Sequence, residues 1–265
     1  MKTVVITGSA RGFGYSMLEE FYKKDFNVIL CDINEDELKR SSDRLNKMYG
    51  KGKVLSYKMD VTNENEVKDT INKILQEVKT IDIWINNAGV NQPMKAIWEL
   101  DSKVIDRLID IDLKGTVICS KNIMPIMLKQ KSGAIYNVEG YGSNDATMLG
   151  LSIYGTCKRA ITYFTEALAK ESYESGNYVN IGKITPGIMI TNFINHSLGN
   201  DSINLSEKTK NVYNILGDRP EVIAKFMVEK IINNKKNNVK FTWLTTGRAM
   251  GRFFKALFGI KNNYF

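Results

Sequence analysis

Tyr154 and Lys158 stand four residues apart in a stretch that reads as the opening of a helix. At that spacing a phenol and an ammonium share one helix face. Free tyrosine titrates near pH 10, too high for an acid–base catalyst at neutral pH. A neighbouring ammonium favours the phenolate. At roughly 4 Å and an effective dielectric of about 20 the attraction is about 4 kcal/mol before desolvation. About 1.4 kcal/mol moves a pKa by one unit, so the pair predicts a downward shift of a couple of units. The chemistry on offer is proton exchange with a substrate oxygen. A lone pair of this kind is more often a solvated helix face, so it needs company.

The company comes first in the chain. Thr7-Gly8-Ser9-Ala10-Arg11-Gly12-Phe13-Gly14 follows a β-branched run and precedes a helical stretch from Tyr15 to Lys24. Glycines there allow a tight turn and a close approach to a pyrophosphate. The helix start adds free N–H groups and a partial positive charge. Bare glycine spacing also suits a ligand-free strand–helix turn; the strand before it and the helix after it are what favour a dinucleotide. Asp32 ends the next apolar run, 18 residues past Gly14. A carboxylate there accepts from ribose hydroxyls and repels a 2′-phosphate, which favours NAD(H) over NADP(H). Asp32 as a helix cap is the plain alternative, although Asn34 is equally placed to cap. Arg11 argues the other way, since a base in the turn can pair with a 2′-phosphate.

These residues must be positioned by strands and helices in alternation. Apolar runs at 3–7, 27–31, 53–59, 81–85, 134–138, 179–184 and 240–245 suit strands buried on both faces. Stretches with helical period lie between them, such as 64–78 with Val67, Ile71, Ile74, Leu75 and Val78. The expected fold is α/β: a single-domain Rossmann fold over 1–265, doubly wound, with a seven-stranded parallel sheet and helices on both faces. Four prolines and no Pro/Gly/Ser linker argue against a second domain.

Composition narrows the classes. Three separated cysteines (Cys31, Cys119, Cys157) suit a reducing compartment rather than a disulfide framework. A single histidine, His196, with no clustered cysteines makes no metal site the expectation. No apolar run reaches membrane-spanning length, and the N-terminus has no signal-peptide pattern, so the expected location is cytoplasmic. The net charge of +8 resides entirely in residues 206–265, which hold 12 Lys+Arg and 4 Asp+Glu. No nucleic-acid-binding module accompanies that charge, so no nucleic-acid partner is expected.

The turn spacing resembles that of the short-chain dehydrogenase/reductase family, and four more motifs match in order. Asp60-Val61 follows the third strand, where the family holds the adenine. Asn86-Asn87-Ala88-Gly89 follows the fourth, where the family braces the sheet and lines the cofactor site. Tyr154-x-x-x-Lys158 follows the fifth. Pro186-Gly187-Ile188, continuing to Thr191, follows the sixth, where the family holds the nicotinamide carboxamide. The match spans about residues 1–195. The resemblance implies hydride transfer between NAD(P) and a small-molecule carbonyl or alcohol, with Tyr154 as acid/base and Lys158 also holding the ribose. It implies a homo-oligomer, dimer or tetramer, packed through helices near 101–129 and 152–174.

Two positions depart from the family pattern. Asp112 stands where the family has an asparagine that supports a proton relay, and its charge could hold Lys158 charged and dampen its effect on Tyr154. Gly140 stands where the family has a serine that donates to the substrate oxygen; Ser143 is the expected substitute. The run from Asn137 through Glu139 and Gly140 to Ser143 looks like the chlorophyll b reductase-like branch, which does not fix a substrate. Residues 188–215 would form a substrate loop, with Phe193, Ile194, His196, Leu198, Ile203 and Leu205. The competing class is a dinucleotide-binding regulatory or scaffold protein that lost its chemistry through Gly140 and Asp112. Residues 245–265 read as a basic amphipathic extension. Packing on the protein or between subunits is the favoured reading, and peripheral contact with a membrane the lesser one.

Overall fold

The computed structural model describes residues 1–190 and 207–264. Thr191 and the apolar residues and His196 of the expected substrate loop lie outside them.

Seven strands form one parallel sheet in the order β3-β2-β1-β4-β5-β6-β7. They are β1 (Thr3–Thr7), β2 (Asn27–Asp32), β3 (Val54–Lys58), β4 (Ile83–Asn86), β5 (Gly133–Val138), β6 (Val179–Thr185) and β7 (Val239–Thr242). All seven expected strands are present. Every residue of β1 is buried, as a strand covered on both faces must be. Helix α1 (Gly12–Tyr22) and α8 (Pro220–Ile232) cover one face, where Leu18, Phe21, Ile223 and Met227 pack on Val4 and Ile6. Helices α3 (Glu64–Glu77), α5 (Thr116–Gln130) and α6 (Ser152–Glu174) cover the other, where Val67, Ile71, Ile123 and Met127 join Val5 and Trp84. Helix α2 (Glu35–Asn46) is capped by Asn34, whose side chain accepts from Glu37 N–H. Asp32 is therefore released from the capping role.

Strand order reverses between β1 and β4, which lie side by side with Val5 beside Trp84. The crevice beyond the strand ends at such a switch is where doubly wound sheets take ligands. Both the glycine turn and Asn86-Asn87-Ala88-Gly89 open onto it.

Helix α4 (Ser102–Leu108) runs into α5 through a π-helical turn, Ile109–Gly115. Such a widened turn rotates side chains relative to a regular helix and recurs at functional sites. Here it carries Asp112. Helices α7 (Glu207–Leu216) and α9 (Thr246–Ala256) complete the chain. Among the described residues no helix is long and apolar enough to cross a membrane.

Candidate active site

The glycine turn is built by packing as much as by backbone freedom. Gly8 takes a φ of +60° and Gly12 of +61°, where side chains are strained. A Cβ on Gly8 would sit 2.6 Å from Ala88 Cα, and one on Gly14 would sit 2.6 Å from Asn87 Nδ2. Asn87 fastens the turn by donating to the carbonyls of Thr7 and Gly8 at 3.0 and 2.9 Å. The Thr7 hydroxyl accepts from the N–H groups of Asn87 and Ala88, both at 3.0 Å. A Cβ on Gly12 would meet only open space. The start of α1 has no side-chain cap at Arg11, so its first N–H groups remain available to an anion.

Asp32 reaches the same turn, with its carboxylate accepting from Ala10 N–H at 3.1 Å. Ser9 is fully buried and donates to the Ile6 carbonyl, which makes it part of the turn's framework. Phe13 is buried, whereas Arg11 is exposed. Asp60 folds its carboxylate back onto Thr62, and Val61 is buried beside Gly115. Gly187 takes a φ of +76° with Leu244 against it, and the Ile188 carbonyl accepts from Asp218 N–H.

Tyr154 and Lys158 do lie side by side on α6, both buried, with the ammonium 5.4 Å from the ring centre. Asp112 is fully buried and its Oδ2 lies 3.0 Å from Lys158 Nζ. Its Oδ1 accepts from Val90 N–H at 2.7 Å. Oδ2 meets the Lys158 ammonium as an ion pair. The substituted carboxylate thus pairs directly with the lysine. Burial pulls the Lys158 ammonium down, but Asp112 and then Tyr154 together outweigh it and the net direction is up.

For Tyr154 the expected downward shift is corrected. Burial drives its pKa up, Lys158 pulls it down, and Asp112 pushes it up again, so the net direction is upward. Helix spacing reveals the ammonium, whereas the desolvation and the second charge come from tertiary packing. The phenol is accordingly protonated at neutral pH.

The departure at Gly140 is geometric. A Cβ built there would overlap the Tyr154 hydroxyl and crowd Lys158 Cγ. The tyrosine therefore occupies the room a serine would need. Ser143 is buried, and its hydroxyl donates to the Lys158 carbonyl at 3.4 Å and accepts from Gly140 N–H at 3.2 Å. In this conformation the Ser143 hydroxyl proton is engaged by the backbone of α6.

Sequence reading missed two polar residues that set this geometry. Gln92 is fully buried, and its Oε1 accepts from the N–H groups of Ile153 and Tyr154 at 3.1 and 2.8 Å. It caps α6 from a distant loop, because Leu151 at the helix start has no capping side chain. Gln92→Ala is expected to cost about 2 kcal/mol, since two buried N–H groups lose their acceptor. A melting temperature unchanged from the unmodified protein would refute that role. Glu139 is also buried at the end of β5. It accepts from Thr162 and Thr185 hydroxyls, each at 2.7 Å, and pairs with Lys240 of β7 at 2.7 Å. Gln92 has no local sequence signal, and Glu139 shows only as one letter of a motif.

The sequence matches the short chain dehydrogenase family over residues 2–201. It is 36% identical over 207 residues to an uncharacterized oxidoreductase, YxbG, of Bacillus subtilis (strain 168), covering 78% of this chain and 74% of that one. It is 28% identical over 268 residues to chlorophyll(ide) b reductase NOL, chloroplastic, of Oryza sativa subsp. japonica, covering 98% and 76%. Among solved structures, NAD+-bound xylitol dehydrogenase superposes with a TM-score of 0.79 at 20% identity, covering 91% and 97%. ElxO with NADP bound superposes at 0.77 and 25% identity, covering 90% and 96%. With the glycine turn, the paired Tyr154 and Lys158 and the strand order all in place, the chain belongs to the short-chain dehydrogenase/reductase family of oxidoreductases.

Proposed function

We propose that the chain transfers hydride between NAD(P) and a small carbonyl/alcohol pair, with Tyr154 exchanging the proton at the substrate oxygen. The observation that carries this reading is the buried Tyr154–Lys158–Asp112 cluster at the switch-point crevice. The dinucleotide fits the residues present: Gly12 faces open space beside uncapped N–H groups, and Asp32 stands at the turn where a ribose would lie. In this reading Gly8, Ser9, Arg11, Gly12, Phe13, Gly14, Asp32, Asp60, Val61, Asn87, Ala88, Gly89, Pro186, Gly187, Ile188 and Thr191 form its bed. Bound nicotinamide supplies or accepts the hydride. Tyr154 gives its proton to the carbonyl oxygen as charge develops there, and Lys158 steadies the phenolate left behind. Asp112 keeps Lys158 charged and in place. A phenol protonated at neutral pH is the form that carbonyl reduction needs.

NAD(H) is the favoured cofactor on the strength of Asp32. The chain acts as one domain in the cytoplasm and as a homo-oligomer; for the oligomer, the support is apolar surface left open by Ile109 before α5 and Tyr163 on α6, which are 41% and 76% exposed. A second reading, a dinucleotide-binding scaffold, draws on the engaged Ser143 hydroxyl and the missing one at Gly140. Turnover of a panel of ketones and alcohols with NADH, NADPH and their oxidised forms separates the two. Dinucleotide binding with no turnover of any pair overturns the enzyme reading. In the same assay Asp32→Ala is expected to narrow the preference for NAD(H). An unmodified protein that prefers NADP(H) refutes the role given to Asp32.

A further inference from the structure

Helix α9 is mounted with its polar side toward the protein. Arg252 pairs with Asp218 at 2.7 Å and donates to the Leu216 carbonyl at 3.0 Å. Arg248 stacks on Trp243, 3.9 Å from the ring centre, and donates to the Trp243 carbonyl. The chain beyond the helix is tied to α7 in the same manner, through Asn262 and Tyr264 to Asn214. No residue of α9 is buried. Its apolar side points outward instead: Met250, Phe254, Leu257, Phe258 and Ile260 are each 63% exposed or more, and Phe253 is 45% exposed. A contiguous apolar patch turned to water marks a surface that meets something else. Of the expected packing, on the same subunit or between subunits, the first is not what the single chain shows: polar bonds hold the helix and its apolar side chains are exposed. The family match ends at residue 201, well before this segment.

Charge selects the occupant. Exposed Lys255 and Lys261 border the patch, Lys261 with its ammonium donating to Asn211 Oδ1 of α7, and no acidic side chain follows Glu229. Residues 206–265 carry the whole +8. A second copy seated face to face would bring like charge to like charge, whereas an anionic lipid surface complements it. We infer that α9 and the residues after it dock the protein on an anionic membrane interface. Phe254, Leu257 and Phe258 enter the headgroup–acyl boundary, and Lys255 and Lys261 meet the headgroups. The inference is independent of the proposed catalysis.

The test is co-sedimentation of the full chain with vesicles of phosphatidylglycerol and phosphatidylcholine, against vesicles of phosphatidylcholine alone. Binding to the anionic vesicles that weakens with added salt is expected. Phe254→Ser with Leu257→Ser should abolish it, and Lys255→Glu with Lys261→Glu should weaken it about tenfold or more. These side chains are exposed, so unchanged thermal melting is the folding control. No sedimentation of the unmodified chain, or sedimentation of both variants equal to that of the unmodified chain, overturns the inference. So does an oligomer, seen by sedimentation velocity, that Phe254→Ser with Leu257→Ser dissociates while vesicles go unbound; the patch then covers a second copy.

Discussion

Tyr154→Phe is expected to lower turnover by about 10²–10⁴-fold, the usual contribution of a positioned general acid. Dinucleotide affinity should stay essentially unchanged, because the substitution removes one oxygen from a buried ring and leaves the glycine turn alone. Activity within tenfold of the unmodified protein would sink the assignment. The pH dependence adds a second check. A phenol at or above its ordinary pKa of about 10 is ionised in no more than about one molecule in a thousand at pH 7. Carbonyl reduction needs the protonated form, so its kcat/KM should be flat from pH 6 to about pH 9 and fall only above that range. Alcohol oxidation needs the phenolate, so its kcat/KM should climb steadily over the same range. The sign follows from burial and Asp112 together outweighing Lys158. Alcohol oxidation that levels off near neutral pH would mean that the tyrosine titrates far below this range.

The parts of the fold that rest on pattern were legible in the sequence. Continuous apolar runs mark strands such as Thr3–Thr7 because burial on both faces leaves no polar alternation to confuse them. The glycine turn was legible because a positive φ at Gly8 and Gly12 restricts residue type locally. Long-range capping was not. Gln92 reaches Tyr154 across 62 positions of sequence, and nothing near either residue announces the bond. The same holds for Glu139, whose partners Thr162, Thr185 and Lys240 come from one helix and two strands. The tyrosine's pKa direction is not legible in the sequence for a related reason. An i, i+4 spacing reveals the neighbouring charge, whereas burial and the carboxylate from the π-helical turn depend on tertiary packing. The outward apolar face of α9 also needed coordinates, because a helical stripe is the same in sequence whichever way the helix is mounted.

The ion pair between Asp112 and Lys158 carries the second large effect. Both side chains are almost wholly shielded, 0% and 8% exposed. Removing one partner of a buried pair leaves the other charge uncompensated and typically costs about 3–5 kcal/mol. Lys158→Met keeps most of the stem and deletes only the charge, so that cost should appear as a melting temperature lower by roughly 10 °C. Asp112→Asn is expected to cost less, because the amide keeps the shape and the Oδ1 acceptor for Val90 N–H, whereas Lys158→Met leaves a buried carboxylate without its counter-charge. The double variant should then be more stable than Lys158→Met alone, with a coupling of about 1–3 kcal/mol. Additive losses would mean that the 3.0 Å contact contributes nothing to stability. The catalytic readout is separate from the stability readout. Asp112 raises the Tyr154 pKa, so Asp112→Asn should move tyrosinate formation to lower pH in an ultraviolet difference titration against Tyr154→Phe. A structural brace alone would change the melting temperature and leave that titration where it was.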